Sequence, residues 1–357
     1  MSLLLRLAAL AAIAAFLFFA TPLRAQSASP DSLSAPAFRE VVDETGRTVH
    51  VPQPVRRIVS LAPSMTETVY ALGLQDRLVG DTDYCDYPPD AQTKTKVGGG
   101  INPSLEKIAS LHPDLVLVTK AFNLPETVHS LEGLGISSYA TDPHTVHDII
   151  TSTKKVADLL GVPDAGAVVG DEMQHRLDQL QHQLATLPPR QVLFVVWTQP
   201  LISVGRSTFI ADALLRAGAV SIVDSSQDWP HVSLEEVAHL QPDYLVFADS
   251  HSETVPAQVD ALATLPAWRI LSAVANRRFA VISDAVNRPA PRIVSAIEEL
   301  AKQLHPEAFV EKPSDAKEKM VKQNFSQSTK PFQDFAFIKQ NQPLVTHKTV
   351  GECACAL

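Results

Sequence analysis

Short apolar runs bounded by turn residues alternate along this chain with longer segments whose apolar positions recur at helical spacing. The runs predict buried strands at 57–62, 78–81, 115–118, 192–197, 244–247 and 279–282. The helical spacing predicts helices at 65–72, closed by Gly73, at 210–216, closed by Gly218, and at 292–304. A further helix and strand fall within 127–139, and residues 41–51 read as a hairpin turning at Gly46. Strands that alternate with helices imply an α/β fold with a largely parallel sheet.

Between these two series lies a longer stripe: Val169, Met173, Leu177, Leu180, Leu184 and Leu187. It predicts one helix over 164–187, about 36 Å long at ~1.5 Å per residue, ending at Pro188-Pro189. A helix of that length between two lobes acts as a strut and limits hinge bending.

An internal repeat gives the division into lobes. Ser104-Leu-Glu-Lys-Ile-Ala-Ser-Leu-His-Pro-Asp114 returns as Ser233-Leu-Glu-Glu-Val-Ala-His-Leu-Gln-Pro-Asp243, and each copy runs into an apolar strand. Residues 104–118 and 233–247 share seven identities and lie 129 positions apart, too far for a solenoid period. The expected fold class is therefore α/β, with two similar lobes of mostly parallel sheet joined by one long backbone helix. The expected domains are an N-terminal lobe at 37–150, a linking helical segment at 151–189 and a C-terminal lobe at 190–310. Ser233 and Glu236 are placed to form a capping box, which leaves Glu235 free. In the first copy Asn102 can cap with Pro103 at the first helical position, and Glu106 lies in the first turn, where the helix dipole favours it. A glutamate at the equivalent place in each lobe suits a partner that is itself two-fold.

Composition refines this picture at the chain ends. Arg6, the apolar run from Leu7 to Ala20 and the small-residue site Leu23-Arg24-Ala25 read as a secretory signal at 1–25, too short for a bilayer span. Its removal takes the formal charge from −9 to about −11, which argues against nucleic acid as a partner. Residues 26–36 read as a disordered leader, and 311–357, which hold half of the chain's lysines, as a disordered tail. Cys85, Cys353 and Cys355 make no disulfide framework, and no cysteine near the cleavage point offers a lipid anchor. The protein is expected to be soluble, monomeric and outside the cytoplasm.

The common catalytic signatures are missing: no Gly-x-Ser-x-Gly, no His-Glu-x-x-His and no phosphate-binding Gly-x-x-x-x-Gly-Lys. Gly98-Gly99-Gly100 lacks dinucleotide spacing and reads as a flexible loop. The histidines are scattered, with no metal-site spacing. The expectation is a binding protein with neither catalytic residues nor metal or cofactor. Its candidate ligand contacts are Tyr84, Asp86 and Tyr87 in a loop after a strand, Trp197 and Trp229 near strand ends, and Asn287, Arg288 and Arg292 before the last helix. Tyrosine and tryptophan offer flat apolar faces suited to a large planar or macrocyclic ligand, although each could equally pack internally. Trp268, inside an apolar turn, reads as structural. A secreted thiol enzyme or metal chaperone using Cys85 or the tail cysteines is the reading from a different class, but no activating histidine lies in the Cys85 loop.

Arg57-Ile-Val-Ser-Leu-Ala-Pro-Ser-Met-Thr-Glu67, Thr82-Asp-Tyr-Cys-Asp-Tyr-Pro-Pro89, Ser104-Leu-Glu106 with Pro113-Asp-Leu-Val116, and Arg288-Pro-Ala-Pro-Arg292 resemble the helical-backbone periplasmic binding proteins. That family serves importers of vitamin B12, haem and ferric siderophores, and the resemblance is closest to the cobalamin receptors over about residues 41–309. It implies two α/β lobes, a shallow cleft, small closure on binding and a periplasmic location. It also implies one surface glutamate per lobe, here Glu106 and Glu235, meeting arginines of an ABC importer permease dimer. Corrin contacts carry over to Tyr84 and Trp229, and less directly to Trp197. Residues 97–100 lack an aromatic that some cobalamin receptors place there. A haem or ferric-siderophore ligand, with Tyr84 or Tyr87 on iron and Arg288 or Arg292 on acidic groups, stays open beside a corrinoid.

Overall fold

The computed structural model describes residues 37–249 and 254–310; the expected signal segment 1–25, leader 26–36 and tail 311–357, with Cys353 and Cys355, lie outside the described residues. The chain first forms an antiparallel hairpin of β1 (Ala37–Val42) and β2 (Thr48–Gln53). Its turn falls at the expected glycine, Gly46 (φ 88°), and Asp43 fixes it by accepting the backbone N–H groups of Thr45 and Arg47.

Five parallel strands follow: β3 (Ile58–Ser60), β4 (Leu78–Asp81), β5 (Thr95–Lys96), β6 (Leu115–Thr119) and β7 (Ser138–Thr141), in spatial order β5-β4-β3-β6-β7. The apolar runs are continuous because both faces of this sheet are covered. Ile58, Leu115 and Leu117 point to one core, shared with the hairpin residues Val49 and Val51. Val59, Val116 and Val118 point to the other, where α2 (Leu105–Ser110) contributes Ile108 and α3 (Pro125–Gly133) contributes Leu131. The helix α1 (Pro63–Ala71) leaves β3 directly.

The lobes are joined by α4 (Val146–Leu159) and α5 (Pro163–Leu184), the latter about 33 Å long at ~1.5 Å per residue. Met173, Leu177, Leu180 and Leu184 of the predicted stripe are buried, and Val169 packs against the N-terminal core. Leu187 falls beyond the helix, because Pro188-Pro189 disfavours helical backbone in the residue before it. The strut is held at both ends. Near its start a Cβ on Gly166 would lie 2.4 Å from Cβ of Ala157 in α4, so only glycine permits this helix contact. Farther along, Arg176 donates to both carboxylate oxygens of Glu298, at 2.9 and 2.8 Å, in the last helix.

The C-terminal lobe contains β8 (Arg190–Val195), the short hairpin β9 (Trp197–Thr198) and β10 (Leu201–Ile202), α6 (Phe209–Arg216), β11 (Ala219–Ser221), α7 (Leu234–Leu240), β12 (Tyr244–Asp249), α8 (Thr254–Thr264), α9 (Pro266–Arg269), α10 (Ser272–Ala275), β13 (Phe279–Ser283) and α11 (Ile293–Leu304). Its parallel sheet runs β11-β8-β12-β13, the same winding as β4-β3-β6-β7 in the first lobe. Trp268 is buried in the core of this lobe with Leu193, Leu245 and Phe247. A second unit begins at Pro306 with a 3-10 turn over Pro306–Ala308.

The sequence repeat is a structural repeat in detail. Val237 packs with Leu245 and Phe247 as Ile108 packs with Val116 and Val118. His112 and Gln241, at equivalent positions, turn the chain out of its helix with φ 44° and 48°. Asp114 accepts the backbone N–H groups of Arg56 and Arg57, and Asp243 that of Gln191, so each aspartate pins the start of a central strand. The caps differ from the expectation. Ser104, not Asn102, caps α2, because Pro103 is held in a bridge with Gly98 outside the helix. Ser233 Oγ accepts the Glu235 N–H at 3.2 Å rather than that of Glu236, so the expected capping box is not made.

The helix contact at Gly166 gives a direct check on the strut. Gly166→Leu should lower stability by about 1–3 kcal/mol through overpacking against Ala157, read from urea unfolding; unchanged or higher stability would show that α4 and α5 are not in this contact.

Candidate ligand-binding site

In open parallel sheets, ligands bind beyond the carboxyl ends of the strands, where the strand order reverses. Such a reversal lies at β3 in the first lobe, with β4 on one side and β6 on the other. The segments leaving these three strands, at Ala62–Ser64, Asp83–Asp86 and Ala121–Phe122, form one wall of a cavity of about 550 Å³. The second lobe supplies the opposite wall with Phe209, Trp229 and the stretch from Asp284 to Pro289. Tyr84 and Phe122 from one lobe therefore share an open space with Trp229 and Phe209 from the other. Tyr84 and Trp229 are more than half exposed, an unusual state for large aromatic rings unless something else covers them.

The Tyr84 loop is positioned from beneath. Lys96 Nζ reaches Asp81 Oδ1 at 2.8 Å and the carbonyls of Cys85 and Ala91 at 3.0 and 3.1 Å, drawing both ends of the loop onto the sheet. Burial pushes the Asp81 carboxyl up to about 6, against the opposing pull of Lys96. Cys85 Sγ lies between the hydroxyls of Thr66 and Thr82, and burial pushes this thiol up. A buried thiol held protonated is the reverse of an activated nucleophile, so Cys85 serves the loop's packing. The triple glycine also proves structural. A Cβ on Gly100 would overlap the Phe122 ring, which meets Tyr84 edge-on with centroids 6.1 Å apart.

A network of charges closes the floor between the lobes. Glu67 of α1 is 4% exposed and accepts from Arg288 at 2.9 Å and from Arg292 at 2.8 and 3.0 Å. Arg288 also reaches Asp86 and Asp284, each at 2.6 Å, and Arg292 lies over the Tyr87 ring at 4.0 Å from its centroid. Burial alone pushes the Asp86 carboxyl up, but the hydrogen bond and charge of Arg288 outweigh it and hold this group below the usual carboxylate range. Burial works against the charge of Arg288 and Arg292, yet the surrounding carboxylates keep both guanidiniums more firmly protonated than free arginine.

Of the residues expected from the sequence, Tyr84, Asp86, Trp229, Asn287 and Arg288 line the cavity. Tyr87 and Arg292 are not among its lining residues and act through the network just described. Trp197 is not among the lining residues: β8 ends at Val195 and the chain folds back through β9. Its indole N–H donates to the Gln199 carbonyl at 2.7 Å on the surface. The sequence reading missed Glu67, Asp284, Phe122 and Phe209. The lone acid of α1, and an aspartate four residues before Arg288, were available signals for the first two. Nothing local marked the phenylalanines. Glu106 and Glu235 are both exposed, and neither carboxylate makes a hydrogen bond or ion pair among the described residues.

Among the described residues no helix is long and apolar enough to cross a membrane, and no group of three or more His, Cys, Asp or Glu could hold a metal. Comparison with known proteins agrees with the geometry. A vitamin B12-binding protein of Vibrio cholerae is 32% identical over 255 residues, covering 70% of this chain and 89% of the relative. The crystal structure of the periplasmic vitamin B12 binding protein of Vibrio cholerae superposes with a TM-score of 0.61 at 29% identity, over 72% of this chain and 99% of that one. A periplasmic heme-binding protein from Roseiflexus superposes with a TM-score of 0.63 at 26% identity, over 71% of this chain and 99% of that one. Residues 58–286 match the family described as periplasmic binding protein. With that match spanning most of both lobes and the interlobe cavity, this chain belongs to the periplasmic binding protein family.

Proposed function

We propose that this protein is a periplasmic receptor that captures a corrinoid of the vitamin B12 type and presents it to an ABC importer. The observation that carries this reading is the aromatic pairing across the cleft, Tyr84 and Phe122 facing Trp229 and Phe209 in a space open between the lobes. Two walls of flat apolar surface suit a broad ring system held edge-in, and the vitamin B12-binding relatives point to the corrin. In this reading the site binds its ligand and returns it unchanged. A haem reading has one observation in its favour, the exposed Tyr84 side chain in the cavity, together with the heme-binding structural relative.

The importer contact rests on the repeat. Among its polar identities, the serines cap and the aspartates pin strands, while Glu106 and Glu235 have no side-chain partner among the described residues. Each stands in the first turn of a helix that leads into a parallel strand of its sheet. A helix preceding a parallel strand starts at the sheet's carboxyl edge, which is also the edge of the cleft. The two carboxylates thus flank the cleft, one per lobe, where a monomeric receptor can meet a two-fold permease through basic groups. Rim charges of this kind set docking rate and orientation more than they set affinity.

Calorimetric titration with cyanocobalamin, haemin and a ferric siderophore tests the ligand; tight binding of haemin with none of cyanocobalamin would overturn the corrinoid assignment. Trp229→Ala should weaken cyanocobalamin binding at least about tenfold, as for an aromatic anchor, and an unchanged Kd would remove Trp229 from the site. Glu106→Lys combined with Glu235→Lys should leave ligand affinity within about twofold while abolishing importer-dependent uptake, and full uptake by the double variant would refute the docking role.

A further inference from the structure

The charge around the cavity allows a sharper statement about the ligand, one that rests on the corrinoid reading. We propose that charge decides which macrocycles enter: the cleft accepts corrins whose rim carries amides and rejects tetrapyrroles that carry free carboxylates. Arg288 is the one cation among the described residues lining the cavity, and it is fully engaged by Glu67, Asp86 and Asp284 at 2.6 to 2.9 Å. Arg292 behind it is engaged by Glu67 and Asp284. Asp83 also lines the cavity, is exposed, and has no side-chain hydrogen bond or ion pair among the described residues. Four carboxylates thus face two guanidiniums, and the surplus is negative.

A ligand carboxylate entering this space meets no uncommitted cation among the described residues that line it. It must either displace Asp86 or Asp284 from Arg288, which exposes that carboxylate to the same negative surroundings, or stay unpaired beside Asp83. Either course is penalised in a partly desolvated cleft. An amide rim reverses the balance. Its N–H groups can donate to Asp83, and to the Asp86 oxygen that Arg288 leaves free, as charge-assisted hydrogen bonds. Its carbonyls need only weak donors such as the Asn287 side chain on the opposite wall. The selectivity is therefore largely repulsive: the acidic cleft excludes what the aromatic walls alone would accept.

Three dicyano-cobalt corrins that share one ring and differ in their rim isolate this effect: cobinamide with amides, cobyrinic acid heptamethyl ester with neutral esters, and cobyrinic acid with carboxylates. Titration at neutral pH should find the acid bound at least about a hundredfold more weakly than cobinamide, with the gap narrowing as salt screens the cleft. The ester should lie closer to cobinamide than to the acid, and Asp83→Asn should narrow the acid's deficit by about threefold or more. Acid and cobinamide binding within about threefold of each other would overturn the charge filter while leaving the corrinoid receptor standing. An ester as weak as the acid would also overturn it, by showing that lost N–H donors rather than charge set the preference. Failure of all three corrins and of cyanocobalamin to bind would instead overturn the corrinoid reading itself.

Discussion

Glu67 is one buried carboxylate from the first lobe, placed between two guanidiniums from the second. A carboxylate there without partners would be strongly penalised by desolvation, and so would either arginine. Each therefore requires the other lobe to be where it is. The clamp also orders the cavity floor. Arg288, once fixed by Glu67, holds Asp86 at the end of the Tyr84 loop and Asp284 at the end of β13, while Arg292 rests on Tyr87. The aromatic walls stand at a set separation because the charges beneath them do.

The strut and the clamp constrain the same relation between the lobes through separate contacts. Along α5, the Gly166 contact and the Arg176–Glu298 pair tie the helix to one lobe and then the other. With the lobes joined by a continuous helix and linked at the cleft by an ion network, these contacts favour a pre-formed cavity. Binding then has little ordering entropy to overcome, which lets modest aromatic contacts produce useful affinity.

The pseudo-symmetry divides labour between identical residues. Serine, leucine, alanine and aspartate recur in the two copies because a helix leading into a parallel strand needs a cap, a buried face and an anchor for the neighbouring strand, in both lobes alike. Glu106 and Glu235 recur without any such use among the described residues. The cleft itself has no such symmetry: Tyr84 and Phe122 answer Trp229 and Phe209, and Asp83 and Asp86 of one wall face Asp284, Asn287 and Arg288 of the other. A repeated pair of exposed glutamates and an asymmetric interior fit the proposal of a receptor that meets a two-fold gate and carries an irregular cargo.

The sequence by itself determined the elements whose signals are local. The alternation of apolar runs, the stripe of α5, the turn at Gly46 and the repeat at 104–118 and 233–247 were legible because each depends on residues close along the chain. Tyr84, Asp86, Trp229, Asn287 and Arg288 were legible too, since aromatic and charged residues just past strand ends reach the ligand edge of such sheets. Tertiary structure alone decided the rest. Glu67 meets Arg288 and Arg292 across more than 200 positions, and Phe122 becomes a wall residue because Gly100 leaves room for its ring. Trp197 had the same residue type and strand-end context as Trp229, yet after the fold-back at β9 only Trp229 is among the residues lining the cavity. Local pattern sets which residues can form a helix or strand; which side chains share a cavity is fixed only when distant segments pack and their charges must find partners.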